Sequence, residues 1–293
     1  MAAEARAPSF NDRRRALRAL VSAPGATPAM GATDALSARL IEAAGFGCVY
    51  IGSYATAASR FGLADTGLLT LDDMVAQART IVDATTLPVV ADAEGGFNDA
   101  ANIWRTVRAF ERAGVAAIHI EDHAFGKHAD VPQRLHTATA VAGRIRAAVD
   151  AREDPDMLIV ARSDAAWATG DIDETVRRLA LYADAGADMV FPTMVPPPAL
   201  KAIRNRLTRP VMVVDSPGFT LADETAAGAD IVLYYGFAAL IHYDALTRAL
   251  ARFKSVGDAG AVPGARDRTA EFEESLGYAA FAGRARKYGA EEE

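Results

Sequence analysis

Eight short apolar runs alternate along this chain with stretches whose apolar residues recur every three or four positions. The runs lie at 28–30, 48–51, 88–91, 116–120, 157–161, 188–191, 210–214 and 230–233. The segment 101–110 is typical of the spacers, with helical periodicity along its whole length. Gly45, Gly114, Gly186 and Gly228 each close such a stretch just before a run, where a left-handed C-terminal cap belongs. Thr70, Asp99 and Asp171 are the candidate N-caps. Strand and helix alternating eight times predicts a (β/α)8 barrel, an α/β fold. An open doubly wound sheet is the competing architecture, but no Gly-x-Gly-x-x-Gly follows the first run. At 293 residues the chain suits one barrel domain over 1–293. An N-terminal helix falls within about 1–25, at residues 10–22, and a helical extension covers about 255–293 with one helix near 269–278.

The composition narrows the function classes. Hydrophobic residues make up 51% of the chain, enough for a large core, and the net charge is −7. The one basic cluster, Arg13-Arg14-Arg15, reads as a solvated helix face, so neither nucleic acid nor an anionic membrane is expected as a partner. Cys48 is the single cysteine and sits inside an apolar run, which predicts a buried side chain and no intrachain disulfide. No apolar stretch approaches the roughly 20 residues of a membrane span, and no signal-peptide core is present. A cytoplasmic protein is the expectation.

Chemistry concentrates at the ends of the runs. The third ends Val-Val-Ala-Asp92-Ala-Glu94-Gly-Gly, and the fourth ends Ile-His119-Ile-Glu121-Asp122. With a strand period of two, Asp92 and Glu94 share one face, as do His119 and Glu121. Neighbouring strands would then bring three carboxylates and an imidazole together, a hard-oxygen set suited to Mg²⁺ or Mn²⁺. Turn residues at strand ends are the plainer alternative, and two consecutive motifs favour the metal. In a barrel, functional groups gather at the C-terminal ends of strands. Asp34, Gly52-Ser53, Asp92, Glu94, His119, Glu121, Arg162, Ser163 and Asp164 all fall there. A metal at Asp92, Glu94 and Glu121 would accept the oxygens of a small dianion and stabilise an enolate. Arg162 is placed to grip a carboxylate or phosphonate, or else to pair internally with Asp164 or Glu121. Gly52-Ser53-Tyr54 suits a carboxylate cradle, and the polar loop 122–134 suits a lid carrying Lys127 and His128.

These strings resemble the isocitrate lyase/phosphoenolpyruvate mutase superfamily from about residue 29 to 253. The resemblance is carried by Gly31-Ala-Thr-Asp34-Ala-Leu-Ser-Ala-Arg39, Tyr50-Ile-Gly52-Ser53 and Gly62-Leu-Ala-Asp65-Thr-Gly67. It continues in Ala91-Asp92-Ala-Glu94-Gly-Gly-Phe97, His119-Ile-Glu121-Asp122 and Ala161-Arg162-Ser-Asp164-Ala165. It implies a Mg²⁺-dependent barrel enzyme acting on small 2-oxo or 2-hydroxy diacids, or on phosphonopyruvate-like compounds. It also implies a homotetramer whose terminal helices are exchanged between paired subunits. By position, Asp92 matches the main metal carboxylate, Glu94 stands where the family usually has Asp, and Glu121 matches a further metal-shell acid. Asp65 matches a site-facing carboxylate, though its local sequence reads as a loop turn. Arg162 matches the anion-binding arginine, Gly52-Ser53 the cradle and Lys127 the lysine of the mobile loop. His119, Tyr54 and Thr193 complete the expected substrate contacts.

The departures from that pattern narrow the activity. The family's isocitrate and methylisocitrate lyases carry an acid/base cysteine in the loop where this chain has Ala129. Their Pro-Glu after the sixth strand is Pro192-Thr193, and their asparagine after the seventh is Val214 or Asp215. Cleavage of isocitrate or methylisocitrate is therefore not expected. The expectation is a Mg²⁺-dependent carbon–carbon lyase or decarboxylase like those acting on oxaloacetate, with Asp65, Lys127, Arg162 and His128 as catalytic residues. His128, Asp130 or Tyr54 would replace the missing acid. Phosphonopyruvate hydrolase or mutase chemistry is the alternative, and a barrel that only binds its ligand is the third reading.

Overall fold

The computed structural model describes residues 7–289, in two compact units divided between Ala239 and Leu240. In the first unit every apolar run becomes a strand. They are β1 (Thr27–Gly31), β2 (Cys48–Ile51), β3 (Val89–Asp92), β4 (Ala117–Glu121), β7 (Leu158–Ser163), β8 (Met189–Pro192), β9 (Met212–Val214) and β10 (Ile231–Tyr234). A two-stranded hairpin, β5 (His123–Phe125) with β6 (Arg134–Leu135), is built into the long loop after β4. The eight main strands are parallel in the order β8-β7-β4-β3-β2-β1-β10-β9, and a bridge between Val190 and Val211 joins the two ends of the sheet. The result is a near-closed α/β barrel.

The helices are α1 (Phe10–Ser22), α2 (Ala35–Ala43), α3 (Ser53–Thr56), α4 (Leu71–Ala84), α5 (Ile103–Arg112), α6 (Ala138–Ala151) and α7 (Ala165–Thr169). They continue as α8 (Ile172–Asp184), α9 (Pro197–Ile203), α10 (Leu221–Ala227) and α11 (Phe237–Val256), the last running across the unit boundary. Strands of a parallel barrel are buried on both faces, which is why they read as unbroken apolar runs. One face fills the barrel interior, with Ala29, Cys48, Val90, Leu158, Met189, Met212 and Ile231. The other packs under the helices, where Val49, Ile118, Ile120, Ile159 and Val190 meet Phe110, Ile145, Leu179 and Tyr182. Cys48 lies wholly inside, and burial pushes its thiol up to about 12, so it has no nucleophilic role.

Local signals set most boundaries. Gly45, Gly114, Gly186 and Gly228 are all left-handed, with φ from 83° to 105°. Thr70 and Asp171 cap α4 and α8 through their side chains. Asp99 does not: α5 begins only at Ile103, and the Asp99 carboxylate accepts the Asn102 N–H in the preceding turn. Asp34, placed at a strand end by sequence, caps α2 in a reciprocal pair with Ser37. A backbone approach fixes Gly31, where a Cβ would lie 2.5 Å from the Tyr235 carbonyl oxygen and 2.8 Å from that of Tyr234. Gly31→Ala must push β1 away from β10, and a loss of about 2 kcal/mol is expected in chemical denaturation. An unchanged midpoint would show that the barrel relaxes there at no cost.

Of the basic cluster of α1 only Arg15 is solvated. Arg13 and Arg14 are buried; Arg13 donates to the Val82 carbonyl (2.8 Å), and Arg14 to those of Val115 (3.1 Å) and Glu111 (2.7 Å). Val82 and Glu111 lie in the last turns of α4 and α5, where unpaired carbonyls and the helix dipole favour a cation. Arg14 also pairs with Asp154 at 2.7 Å. In the second unit, the single helix expected near 269–278 is two, α12 (Thr269–Ser275) and α13 (Tyr278–Tyr288), because Gly277 turns left-handed at φ 84° between them. Leu240, Ile241, Leu246, Leu250, Phe253, Phe272 and Phe281 are exposed in this unit. Among the described residues no helix is long and apolar enough to cross a membrane.

Candidate active site

Strand register brings the expected polar residues side by side. Asp92 on β3 is the neighbour of His119 on β4, and Glu121 on β4 is the neighbour of Arg162 on β7. Glu94 arrives by a different route from strand alternation. β3 ends at Asp92, and Glu94 takes a left-handed backbone with φ 49°. The turn is stapled to β4: the Ala93 N–H donates to the His119 carbonyl (3.0 Å), and the Glu121 N–H to the Glu94 carbonyl (2.9 Å). Asp92 fixes it from within by accepting the Glu94 N–H at 2.8 Å.

The outcome is a cluster in which carboxylate oxygens of Asp92, Glu94 and Glu121 lie within 4.8 Å of one another. Lys127 reaches into it from the loop after β4, with Nζ 2.9 Å from Glu94, 3.1 Å from Glu121 and 3.7 Å from Asp65. Burial works against the ammonium, but the charges of Glu121, Asp92 and Glu94 outweigh it and hold its pKa high. Burial, and then the charge of Asp92, pushes the Glu94 carboxyl up. Burial likewise pushes up Glu121, against the pull of Arg162 and Lys127. Asp92 is driven the other way, since His119, Lys127 and Arg162 more than offset its burial. Five buried carboxylates (Asp65, Asp92, Glu94, Glu121 and Asp164) share two permanently charged cations, Lys127 and Arg162. Glu94 Oε1 is buried without any hydrogen-bond partner. A divalent cation among Asp92, Glu94 and Glu121 would answer both the charge surplus and the orphaned oxygen. The donor set fits a hard metal ion.

Arg162 makes both of the internal pairs considered from sequence: Glu121 at 3.1 Å, and Asp164 at 2.7 and 3.1 Å. Asp164 also holds His123 Nδ1 at 3.1 Å. Behind it, Asp122 accepts from the Asp164 N–H, Ser163, Tyr182 and Arg178 at 2.8 to 3.1 Å. The arginine is therefore clamped in place by a two-layer acid network. His119, expected among the substrate contacts, is instead fully buried behind Tyr50, whose hydroxyl is 2.9 Å from its Nε2. Burial pulls its pKa down to about 4, so the ring is neutral at pH 7.

A cavity of about 270 Å³ meets the cluster at Asp92 and Lys127. Asp65, Asp92, Lys127 and Arg162 line its charged side, and Tyr54, Trp167, Met194, Val214 and Tyr235 line the rest, with Gly52, Ser53, Thr193 and His128 between. A Cβ on Gly52 would lie 2.9 Å from the Tyr50 ring, so this position admits only glycine without moving the tyrosine. The Ser53 N–H and hydroxyl both point at Asp92, at 3.3 and 2.9 Å, and orient that carboxylate. Thr193 Oγ1 is buried with no partner. Asp65 joins the site from a loop whose sequence reads as an ordinary turn. Trp167 and Met194 carried no sequence signal beyond following strand ends; Met194 is held left-handed at φ 58°. Glu94, Glu121 and Ala129 line a second, wider hollow of about 600 Å³, which shares Lys127 with the first. Asp130 lines neither.

A parallel barrel with a metal-ready carboxylate cluster and a buried arginine at its C-terminal rim defines a class of enzyme built to hold small anions beside a cation. The comparisons with known proteins narrow that class. The phosphoenolpyruvate phosphomutase family pattern matches residues 17–254. The 2,3-dimethylmalate lyase of Eubacterium barkeri is 40% identical over 72% of this chain and 71% of its own. The oxaloacetate decarboxylase of Rhodopseudomonas palustris is 34% identical over 73% and 75%. The structure of a phosphoenolpyruvate phosphomutase from Streptomyces platensis subsp. rosaceus superposes with a TM-score of 0.88 at 32% identity, covering 94% of this chain and 99% of that one. The chain belongs to the isocitrate lyase/phosphoenolpyruvate mutase superfamily, as its motifs implied.

Proposed function

We propose that this protein is a Mg²⁺-dependent carbon–carbon lyase that decarboxylates a small 2-oxo dicarboxylate of the oxaloacetate type. The observation that carries the reading is the surplus of buried carboxylates converging on one point beside Arg162. Asp92, Glu94 and Glu121 would hold the Mg²⁺, with Mn²⁺ as a substitute. The ion would supply Lewis-acid stabilisation of negative charge on the substrate's 2-oxo oxygen. Arg162, fixed by Asp164 and Glu121, holds the anionic head of the substrate. The Thr193 hydroxyl and the start of α3 at Gly52–Tyr54 complete the wall around it, with Ser53 acting through Asp92. Lys127 balances the acid cluster, and Asp65 and His128 stand at the reacting end.

Decarboxylation is favoured over cleavage into two acids by what surrounds the rest of the ligand. Among the described cavity residues no permanent cation is left for the far end of the ligand: Lys127 is held by Glu94 and Glu121, and Arg162 takes the anionic head. The remaining wall is mostly aromatic and aliphatic. A distal carboxylate placed there loses hydration without gaining a fixed partner, and departure as neutral CO₂ relieves that cost. The same wall weighs against a phosphonate dianion, the alternative chemistry. The relatives named for dimethylmalate and oxaloacetate support carbon–carbon cleavage.

The test is product analysis with oxaloacetate, 2,3-dimethylmalate and phosphonopyruvate, with Mg²⁺ and with chelator. Pyruvate and CO₂ from oxaloacetate, above the metal-only background and abolished by chelation, is the expected result. Phosphate from phosphonopyruvate would move the protein to the alternative chemistry. Silence on all three, with Mg²⁺ still raising the melting temperature, would leave a binding barrel. We also include in the proposal a cytoplasmic homotetramer with exchanged terminal helices, supported by the exposed apolar side chains of the second unit. Light scattering that gives a monomer at micromolar concentration would refute it.

A further inference from the structure

We propose that His128, held by Asp65, is the acid that returns a proton to carbon after the C–C bond breaks, taking over the role that Ala129 cannot perform. The inference rests on the lyase reading above and assigns the proton transfer to one side chain. Of the three sequence candidates, Asp130 lies outside the cavity wall, while Tyr54 and His128 are in it. His128 is built into position. Its Nε2 lies 3.2 Å from Asp65, whose carboxylate is almost wholly buried. Its ring is flanked by Trp167 (centroids 4.8 Å apart) and Tyr54 (5.5 Å). Its backbone is left-handed at φ 59°, a conformation that costs a non-glycine residue about 1 kcal/mol or more. Strain of this kind, retained beside a cavity, marks a residue placed for use.

Of the other protic groups in the cavity wall three are engaged, and the hydroxyls of Thr193, Tyr54 and Tyr235 belong to a class of weaker acids than an imidazolium. Lys127 is held by two glutamates, Ser53 donates to Asp92, and the Tyr50 hydroxyl is bonded to His119. Imidazole is the side chain that exchanges protons near neutral pH. With Nε2 on Asp65, Nδ1 makes no hydrogen bond among the described residues, and about a third of the side chain is exposed to solvent for reprotonation. In the step, the electron pair of the breaking C–C bond passes to the 2-oxo fragment as its enolate, and CO₂ leaves. The enolate carbon then takes a proton from the imidazolium, the C=C becomes C–C, and the ketone re-forms. The neutral imidazole recovers its proton from water, and Asp65 holds the ring throughout. For oxaloacetate the sum is a dianion and one proton giving CO₂ and pyruvate.

Exchange of the methyl protons of pyruvate in D₂O with Mg²⁺, followed by NMR, reads this proton transfer without requiring decarboxylation. His128→Asn keeps the left-handed backbone within the tolerance of its side chain. It is expected to slow exchange about 10²-fold, with oxalate binding and melting temperature unchanged. His128→Gly should behave alike and regain exchange when imidazole is added. Wild-type exchange in His128→Asn, or its loss only in Tyr54→Phe, overturns the assignment while leaving CO₂ release from oxaloacetate to judge the lyase reading. Exchange lost in the variant, in a protein that releases no CO₂, upholds His128 and overturns decarboxylation. Neither exchange nor CO₂ in the wild type overturns both.

Discussion

Asp92→Ala is expected to lower kcat/KM by on the order of 10³-fold or more and to abolish the stabilisation of the protein by Mg²⁺. Asp92 lies at the centre of the cluster. It shares the metal-ready site with Glu94 and Glu121, and it also accepts the Ser53 hydroxyl and the Glu94 N–H. Alanine removes both functions at once, so Asp92→Asn separates them. The amide retains an acceptor oxygen for one of those donors and loses the charge. Activity should therefore fall as far in the asparagine variant, while the melting temperature of the metal-free protein stays near wild type. The measurements are steady-state kinetics and thermal denaturation with and without Mg²⁺. An asparagine variant with near wild-type activity would mean that the acid cluster is not the catalytic centre.

Replacing Arg162 by leucine should produce the largest stability loss of any single site substitution, about 3–5 kcal/mol. The guanidinium is buried between Glu121 and Asp164, with Phe191 5.3 Å away on its flank. Leucine fills part of the volume but leaves Asp164 without its guanidinium and Glu121 with Lys127 alone, in a site already rich in negative charge. Partial relief comes from protonation of Glu121, whose pKa burial already raises. Arg162→Lys should recover less than its charge suggests, because one ammonium cannot span two carboxylates as the planar fork does. Urea denaturation of the metal-free proteins reads the effect without reference to substrate. A leucine variant as stable as wild type would show that the acids are the dispensable partners.

The barrel was legible because a parallel strand buried on both faces leaves an unbroken apolar run, and a glycine in left-handed conformation follows each of α2, α5, α8 and α10. Those are local consequences of backbone geometry, written residue by residue. They yielded all eight strands, the first helix and the positions of Asp92, Glu121 and Arg162 at strand ends. The residues that local pattern misjudged owe their places to contacts distant in sequence. Arg13 and Arg14 look solvated until the ends of α4 and α5 arrive to accept their protons. His119 follows the strand period, yet the barrel interior closes over it. Glu94 joins the cluster through a turn that the main chain of β4 holds in a left-handed form, which no side-chain alternation encodes. Asp65 sits in a sequence of turn residues, and only the closed ring sets it opposite Lys127 and His128. Periodicity and caps therefore determined which elements form and in what order. Which carboxylates meet, and which cation they share, was decided by ring closure, because charge balance at one point depends on groups that the chain keeps up to about a hundred residues apart.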